Sequence, residues 1–265
     1  MAKKDSSDIL GDFECDPFTA RGVTRDVYRM GQGPAVLIIS EMPGITPLVA
    51  AFARQVADRN LRVVMPHLFG RDGAPPTVRE ALKSFGEICV SREFNLFAKG
   101  HASPVTSWLR DLAHWELERN GGPGVGVIGM CLTGGFALAM MVDPVVVAPV
   151  LAQPSLPLGR GSKSELGVSQ RDLVAIKRRA AEGVCVLAYR FTGDKKAPQE
   201  RFTRLRHELG DAFIGVEIDS SPSNPWDYPA NAHSVFTEAL GDREGSPTRA
   251  ALEQVLNFFS DRLKV

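Results

Sequence analysis

Four side chains in this sequence have the types and settings for acyl-transfer chemistry. Cys131 lies in Gly129-Met130-Cys131-Leu132-Thr133-Gly134-Gly135, Asp194 closes Thr192-Gly193-Asp194, His233 sits in Ala232-His233-Ser234, and Glu41 directly follows the apolar run ending Ile38-Ile39-Ser40. A thiol attacks a carbonyl as its thiolate, so it needs a base, and the base needs a partner that fixes its tautomer. Two histidines follow Cys131. His207 falls mid-helix among Arg204, Arg206 and Glu208 and reads as a solvated surface residue, which leaves His233 as the base; Asp194, in a loop just after the run Val184 to Phe191, is the candidate acid. The plainer alternatives are a cysteine packed as a small hydrophobe, a turn aspartate and a helix-start histidine. Glu41 is either a solvated loop acid or a carboxylate recruited to a site beside Cys131.

The elements around these residues favour the chemical reading. Gly124 to Ile128 alternates small and β-branched residues, the pattern of a buried strand, and Phe136 to Met141 continues as an apolar helix. A reactive side chain on a sharp strand-to-helix turn is a nucleophile elbow, written G-x-S-x-G in the α/β-hydrolases, with a cysteine here in the serine's place. The turn demands small neighbours two residues to either side. Gly129 meets that demand, whereas Thr133 stands where a glycine is expected.

The rest of the chain alternates strands with helices. Strands are predicted over Val23 to Met30, Ala35 to Ser40 (the two forming an opening hairpin), Leu61 to Met65, Pro144 to Leu151, Val184 to Phe191 and Ala212 to Ile218. Helices are predicted over Pro47 to Asn60, Ser103 to Asn120, Ser169 to Ala181, Pro198 to Leu209 and Pro247 to Leu263, with short helices between 77 and 100. This alternation implies an α/β fold, a mostly parallel central sheet with helices on both faces. Residues 1–20 read as a polar lead-in and 21–265 as one domain. A dinucleotide fingerprint fails, because Gly124 and Gly126 lie inside the strand and the next strand ends without an acidic residue.

Composition narrows the partners. Lys+Arg and Asp+Glu both number 31, so nothing points to nucleic acid or an acidic membrane surface. The N-terminus lacks the apolar core of a secretory signal, and the run from Phe136 to Ala152 is interrupted by Asp143-Pro144. Four widely spaced cysteines without a C-x-x-C pair argue against a zinc site or a disulfide framework and suit a reducing cytoplasm. The chemistry of these residues requires no metal or other cofactor, and nothing indicates an oligomeric state.

Gly129-Met130-Cys131-Leu132 with Gly134-Gly135, Thr192-Gly193-Asp194 with Pro198, and Ala232-His233-Ser234 together resemble the dienelactone hydrolase (carboxymethylenebutenolidase) family, a cysteine-dependent branch of the α/β-hydrolases. The resemblance spans roughly residues 20–262, more weakly at 77–100 and 153–170. It implies an α/β-hydrolase fold and a hydrolase that opens a small-molecule lactone or ester through an acyl-thioester. It further implies that Glu41 contacts the thiol and helps activate it, and that backbone N–H groups of Leu132 and Met42 form the oxyanion hole. Arg92 would hold a substrate carboxylate. The family's second carboxylate-binding arginine, four residues after the histidine, is Thr237 here, which weakens the expected preference for acidic lactones. Other readings are a thioesterase or amidase on another activated acyl group, and a catalytically silent member that binds a ligand or partner.

Overall fold

The computed structural model describes residues 9–90, 103–156, 163–241 and 243–265. Eight strands form one sheet: β1 (Glu14–Ala20), β2 (Val23–Met30), β3 (Ala35–Ile39), β4 (Arg62–Pro66), β5 (Val125–Met130), β6 (Val146–Ala152), β7 (Val186–Phe191) and β8 (Phe213–Ile218). Their order is β1-β2-β4-β3-β5-β6-β7-β8. The β1–β2 and β2–β4 pairs are antiparallel and all the others parallel. This is the mostly parallel α/β-hydrolase sheet that the sequence leads one to expect.

The helices are α1 (Pro47–Ala57), α2 (Val78–Val90), α3 (Pro104–Asn120), α4 (Gly134–Met140), α5 (Gln170–Ala181), α6 (Gln199–Leu209) and α7 (Pro247–Leu263). Alternate residues of β3 enter opposite cores, as the two-residue period of a strand requires. Leu37 and Ile39 pack with Trp108, Leu109 and Leu112 of α3 and with the apolar side chains of α4. Val36 and Ile38 pack with Val49, Phe52 and Val56 of α1 and with Leu252, Val255 and Phe259 of α7. Close helix–sheet contact explains Gly126 in mid-strand, where an added Cβ would stand 2.9 Å from the Phe259 ring and 3.1 Å from Val36. Local sequence also starts the helices. Ser169 and Ser246 accept hydrogen bonds from Asp172 N and Arg249 N at the entrances of α5 and α7, and Pro247 fills the first position of α7.

Two sequence-based expectations change. Residues 14–20 are not an unstructured lead-in but the edge strand β1, paired with β2 from Glu14↔Arg29 to Ala20↔Val23. The opening hairpin is therefore β1–β2, and β4 separates β2 from β3. Gly31 and Gly33, which look like a hairpin turn, allow the chain to cross close under the next strand's approach. Added Cβ atoms there would strike the backbone carbonyls of Leu61 and Asn60.

Candidate active site

Parallel register brings the chemistry to one edge of the sheet. Ile39 pairs with Gly129, and Gly129 with Leu151. Two residues beyond each lie Glu41, Cys131 and Gln153, outside the carboxyl ends of adjacent strands, where open α/β sheets form their crevice.

Cys131 occupies the tip of the turn between β5 and α4 with φ of 57°, in the left-handed region that non-glycine residues seldom adopt. The close approach behind it involves Gly129, where a Cβ would collide with the carbonyl of Thr133. Thr133 itself is accommodated, since it is its carbonyl that crowds Gly129. Its side chain is fully buried, accepts from Met130 N at 2.8 Å and has the Ile39 carbonyl of β3 at 2.7 Å as its nearest acceptor. The threonine that breaks the usual glycine pattern thus ties the elbow to the neighbouring strand.

The Cys131 side chain is 7% exposed, and its Sγ lies 3.1 Å from Ser155 Oγ. Ser155 also donates its backbone N–H to the Cys131 carbonyl at 2.9 Å. Sequence analysis missed Ser155, which lies between the strand read over Pro144 to Leu151 and the helix read over Ser169 to Ala181.

His233 and Asp194 come together as expected. His233 Nδ1 is 2.6 Å from Asp194 Oδ2, and Lys196 N donates to Asp194 Oδ1 at 2.9 Å. Asp194 is 3% exposed. Burial works to raise its pKa, but the hydrogen bond and charge of His233, with the backbone donors of Lys196 and Ala197, hold it below the ordinary value. Burial likewise opposes a charged His233. Interactions with Cys131 and Asp194 outweigh it and raise the imidazole to about 10. His233 Nε2 is buried without a hydrogen-bond partner among the described residues. Gly193 permits the loop to close: a Cβ there would strike the Ala230 carbonyl, and its N–H donates to Ser220 Oγ at 3.0 Å. His207, by contrast, is exposed on α6.

Glu41 is buried, and its hydrogen bonds among the described residues go to groups other than the thiol. Oε2 accepts from Gln153 Nε2 at 3.0 Å and Ser234 Oγ at 2.8 Å, and Oε1 accepts from Thr237 Oγ1. Burial raises its pKa, against the hydrogen bonds of Thr237 and Ser234 and the charge of His233. Thr237 is accordingly occupied with Glu41. Gln153 completes this cradle, its Oε1 accepting from Val235 N at 3.3 Å while its own φ is 37°. Leu132 follows Cys131 in the turn, and Met42 lies in the loop after β3, joined to Pro43 by a cis peptide. Arg92 lies outside the described residues.

An eight-stranded sheet in this order, with an elbow after β5 and loops after β7 and β8 bringing Asp194 and His233 to it, defines an α/β-hydrolase. The chain belongs to the dienelactone hydrolase family, whose sequence model matches residues 21–263. No curated protein matches it. Solved structures show the same fold at low identity. A dienelactone hydrolase from Anabaena variabilis ATCC 29413 superposes with a TM-score of 0.61 at 14% identity, covering 95% of this chain and 98% of that one. A dienelactone hydrolase-like promiscuous phosphotriesterase, P91, from metagenomic libraries gives 0.63 at 17%, covering 94% and 98%. A thioesterase domain from the curacin biosynthetic pathway gives 0.56 at 12%, covering 92% and 99%. The family is one of hydrolases, so the chain is an enzyme with a small-molecule substrate. Among the described residues no helix is long and apolar enough to cross a membrane.

Proposed function

We propose that this enzyme hydrolyses small carboxylic esters or lactones through an acyl-thioester on Cys131. One observation carries the reading. The 2.6 Å bond from Asp194 to His233 Nδ1 leaves Nε2 unpartnered among the described residues, with the ring coupled in charge to a cysteine at the tip of an elbow. Asp194 fixes the tautomer that presents Nε2 as a base. Nε2 takes the Cys131 proton, and the thiolate and imidazolium then stabilise one another, as the raised His233 pKa expresses. Sγ bonds to the substrate carbonyl carbon, whose oxygen takes the negative charge facing the N–H groups of Leu132 and Met42. Collapse of the tetrahedral species breaks the C–O bond, and the alkoxide leaves with the proton from His233. Water, deprotonated by His233, attacks the thioester; the acid departs and Sγ regains the proton.

Glu41 acts here as a positioning residue. By binding Ser234, the neighbour of His233, together with Gln153 and Thr237, it holds the histidine loop against the ends of β3 and β6.

The test is hydrolysis of a neutral aryl ester and a neutral lactone by the wild-type enzyme and by Cys131→Ala, with peptide mapping of acyl-enzyme trapped by rapid acid quench. The reading expects acylation at the Cys131 peptide and complete loss of turnover in the variant. Turnover retained by Cys131→Ala would overturn it.

A further inference from the structure

Arg201, near the start of α6, is a guanidinium only 5% exposed, and every hydrogen bond it makes to a described residue goes to a backbone carbonyl rather than to a carboxylate. Nε donates to Glu165 O at 2.7 Å, and Nη1 donates to Pro154 O at 2.7 Å and Lys196 O at 3.2 Å. A buried cation without an ion-pair partner is costly, and such groups persist where hydrogen bonds and a functional setting hold them.

Two of these carbonyls, those of Pro154 and Lys196, belong to the two arms of the site. Pro154 precedes Ser155, which grips Cys131 through both its backbone N–H and its hydroxyl. Pro154 also packs on the elbow, since a Cβ on Gly134 would stand 2.8 Å from its Cβ. Lys196 gives its N–H to Asp194, the partner of His233. A continuous chain of contacts therefore runs from Cys131 through Ser155 and Pro154 to Arg201, and from Arg201 through Lys196 to Asp194 and His233. We propose that Arg201 is a positioning residue that fastens the thiol-bearing arm to the acid–base arm. This rests on Cys131 being the nucleophile. Burial lowers the Arg201 pKa to about 10, against the opposing charges of Glu165, Asp194 and Cys131.

Two variants test this. Arg201→Met removes every carbonyl contact, while Arg201→Lys keeps a donor but loses the planar fork that reaches carbonyls on separate segments. The readout is hydrolysis of a neutral ester, with kcat referred to the active-enzyme fraction counted from the acylation burst on the Cys131 peptide, so that partial unfolding does not register. Both variants are expected to lose roughly tenfold or more in kcat, with KM little changed, as misplacement of reacting groups does.

Wild-type kcat in either folded variant would overturn the proposal. If Arg201→Met does not fold, Arg201→Lys decides alone. Failure of the underlying reading shows differently, as turnover surviving in Cys131→Ala.

Discussion

Replacing Thr237 by valine isolates one contact at a buried carboxylate. The side chains are nearly the same size, so the change exchanges a hydroxyl for a methyl and leaves Glu41 Oε1 without the Thr237 donor. Glu41 and Thr237 are 6% and 5% exposed, so water does not readily replace the lost bond. A hydrogen bond to a charged group contributes about 1.5–3 kcal/mol and one between neutral groups about 0.5–1.5. The deficit should therefore depend on the charge of Glu41. Burial raises its folded-state pKa above the ordinary 4.5, so the folded protein holds this proton to higher pH than the unfolded chain. This group's contribution is thus most favourable below 4.5 and declines as pH rises through the folded pKa. Thr237→Val raises that pKa further and steepens the decline. Relative to wild type, the variant should lose about 0.5–1.5 kcal/mol near pH 4 and about 1.5–3 kcal/mol near pH 8. At about 2–4 °C per kcal/mol, the melting temperature should fall by roughly 3–12 °C at the higher pH. Urea unfolding at the two pH values measures both deficits. Equal losses at pH 4 and pH 8, or none at either, would refute the account of Glu41 as a buried carboxylate held by Thr237.

Three further outcomes follow from the same geometry. The His233 imidazole, raised to about 10 with Cys131 and Asp194 beside it, should titrate at lower pH in Cys131→Ala, because burial is then opposed by Asp194 without Cys131; NMR titration of the ring reads this, and an unchanged midpoint counts against the coupling. Gly193→Ala drives a Cβ into the Ala230 carbonyl and should cost about 1–3 kcal/mol of stability together with a drop in kcat, since it displaces the loop bearing Asp194; thermal melts and steady-state kinetics check both. Arg92→Ala should raise KM for a lactone bearing a carboxylate and leave a neutral ester little affected, because Thr237 is engaged by Glu41 and offers no second contact; equal losses on both substrates would make Arg92 structural.

The elements nearest the site were legible because their signals are local. Buried parallel strands are continuous apolar runs, and α7 begins and ends where Ser246-Pro247 and the last apolar residue place it. β1 escaped notice for a physical reason. It is an edge strand with Pro17 within it, mostly exposed along its length, so it carries no alternation to read. The misread hairpin has a related cause. Glycines at 31 and 33 signal backbone crowding, and a sequence does not say whether the crowding comes from a tight turn or from a chain passing beneath a third strand.

Within the site the same division holds, and it bears on what selects the substrate. Cys131, Asp194 and His233 could be found because their order and strand-end settings are properties of the chain. Ser155, Gln153 and Arg201 could not, since each acts through a partner distant in sequence: Ser155 on Cys131, Gln153 on Glu41, and Arg201 on Pro154, Glu165 and Lys196. Thr237 shows how far a contact can redirect a reading. From the sequence it is a lost cation, a neutral donor in place of an arginine that would face substrate. In the fold its hydroxyl points to Glu41, so the change reaches beyond one substrate contact to the carboxylate's surroundings. An arginine at that position would set a cation against Glu41 and hold it ionised. Threonine leaves Glu41 raised by burial, with neutral donors directly bound to it among the described residues. Any anion recognition in this enzyme must then come from cations outside the Glu41 cradle, and the cradle itself serves to hold the histidine loop.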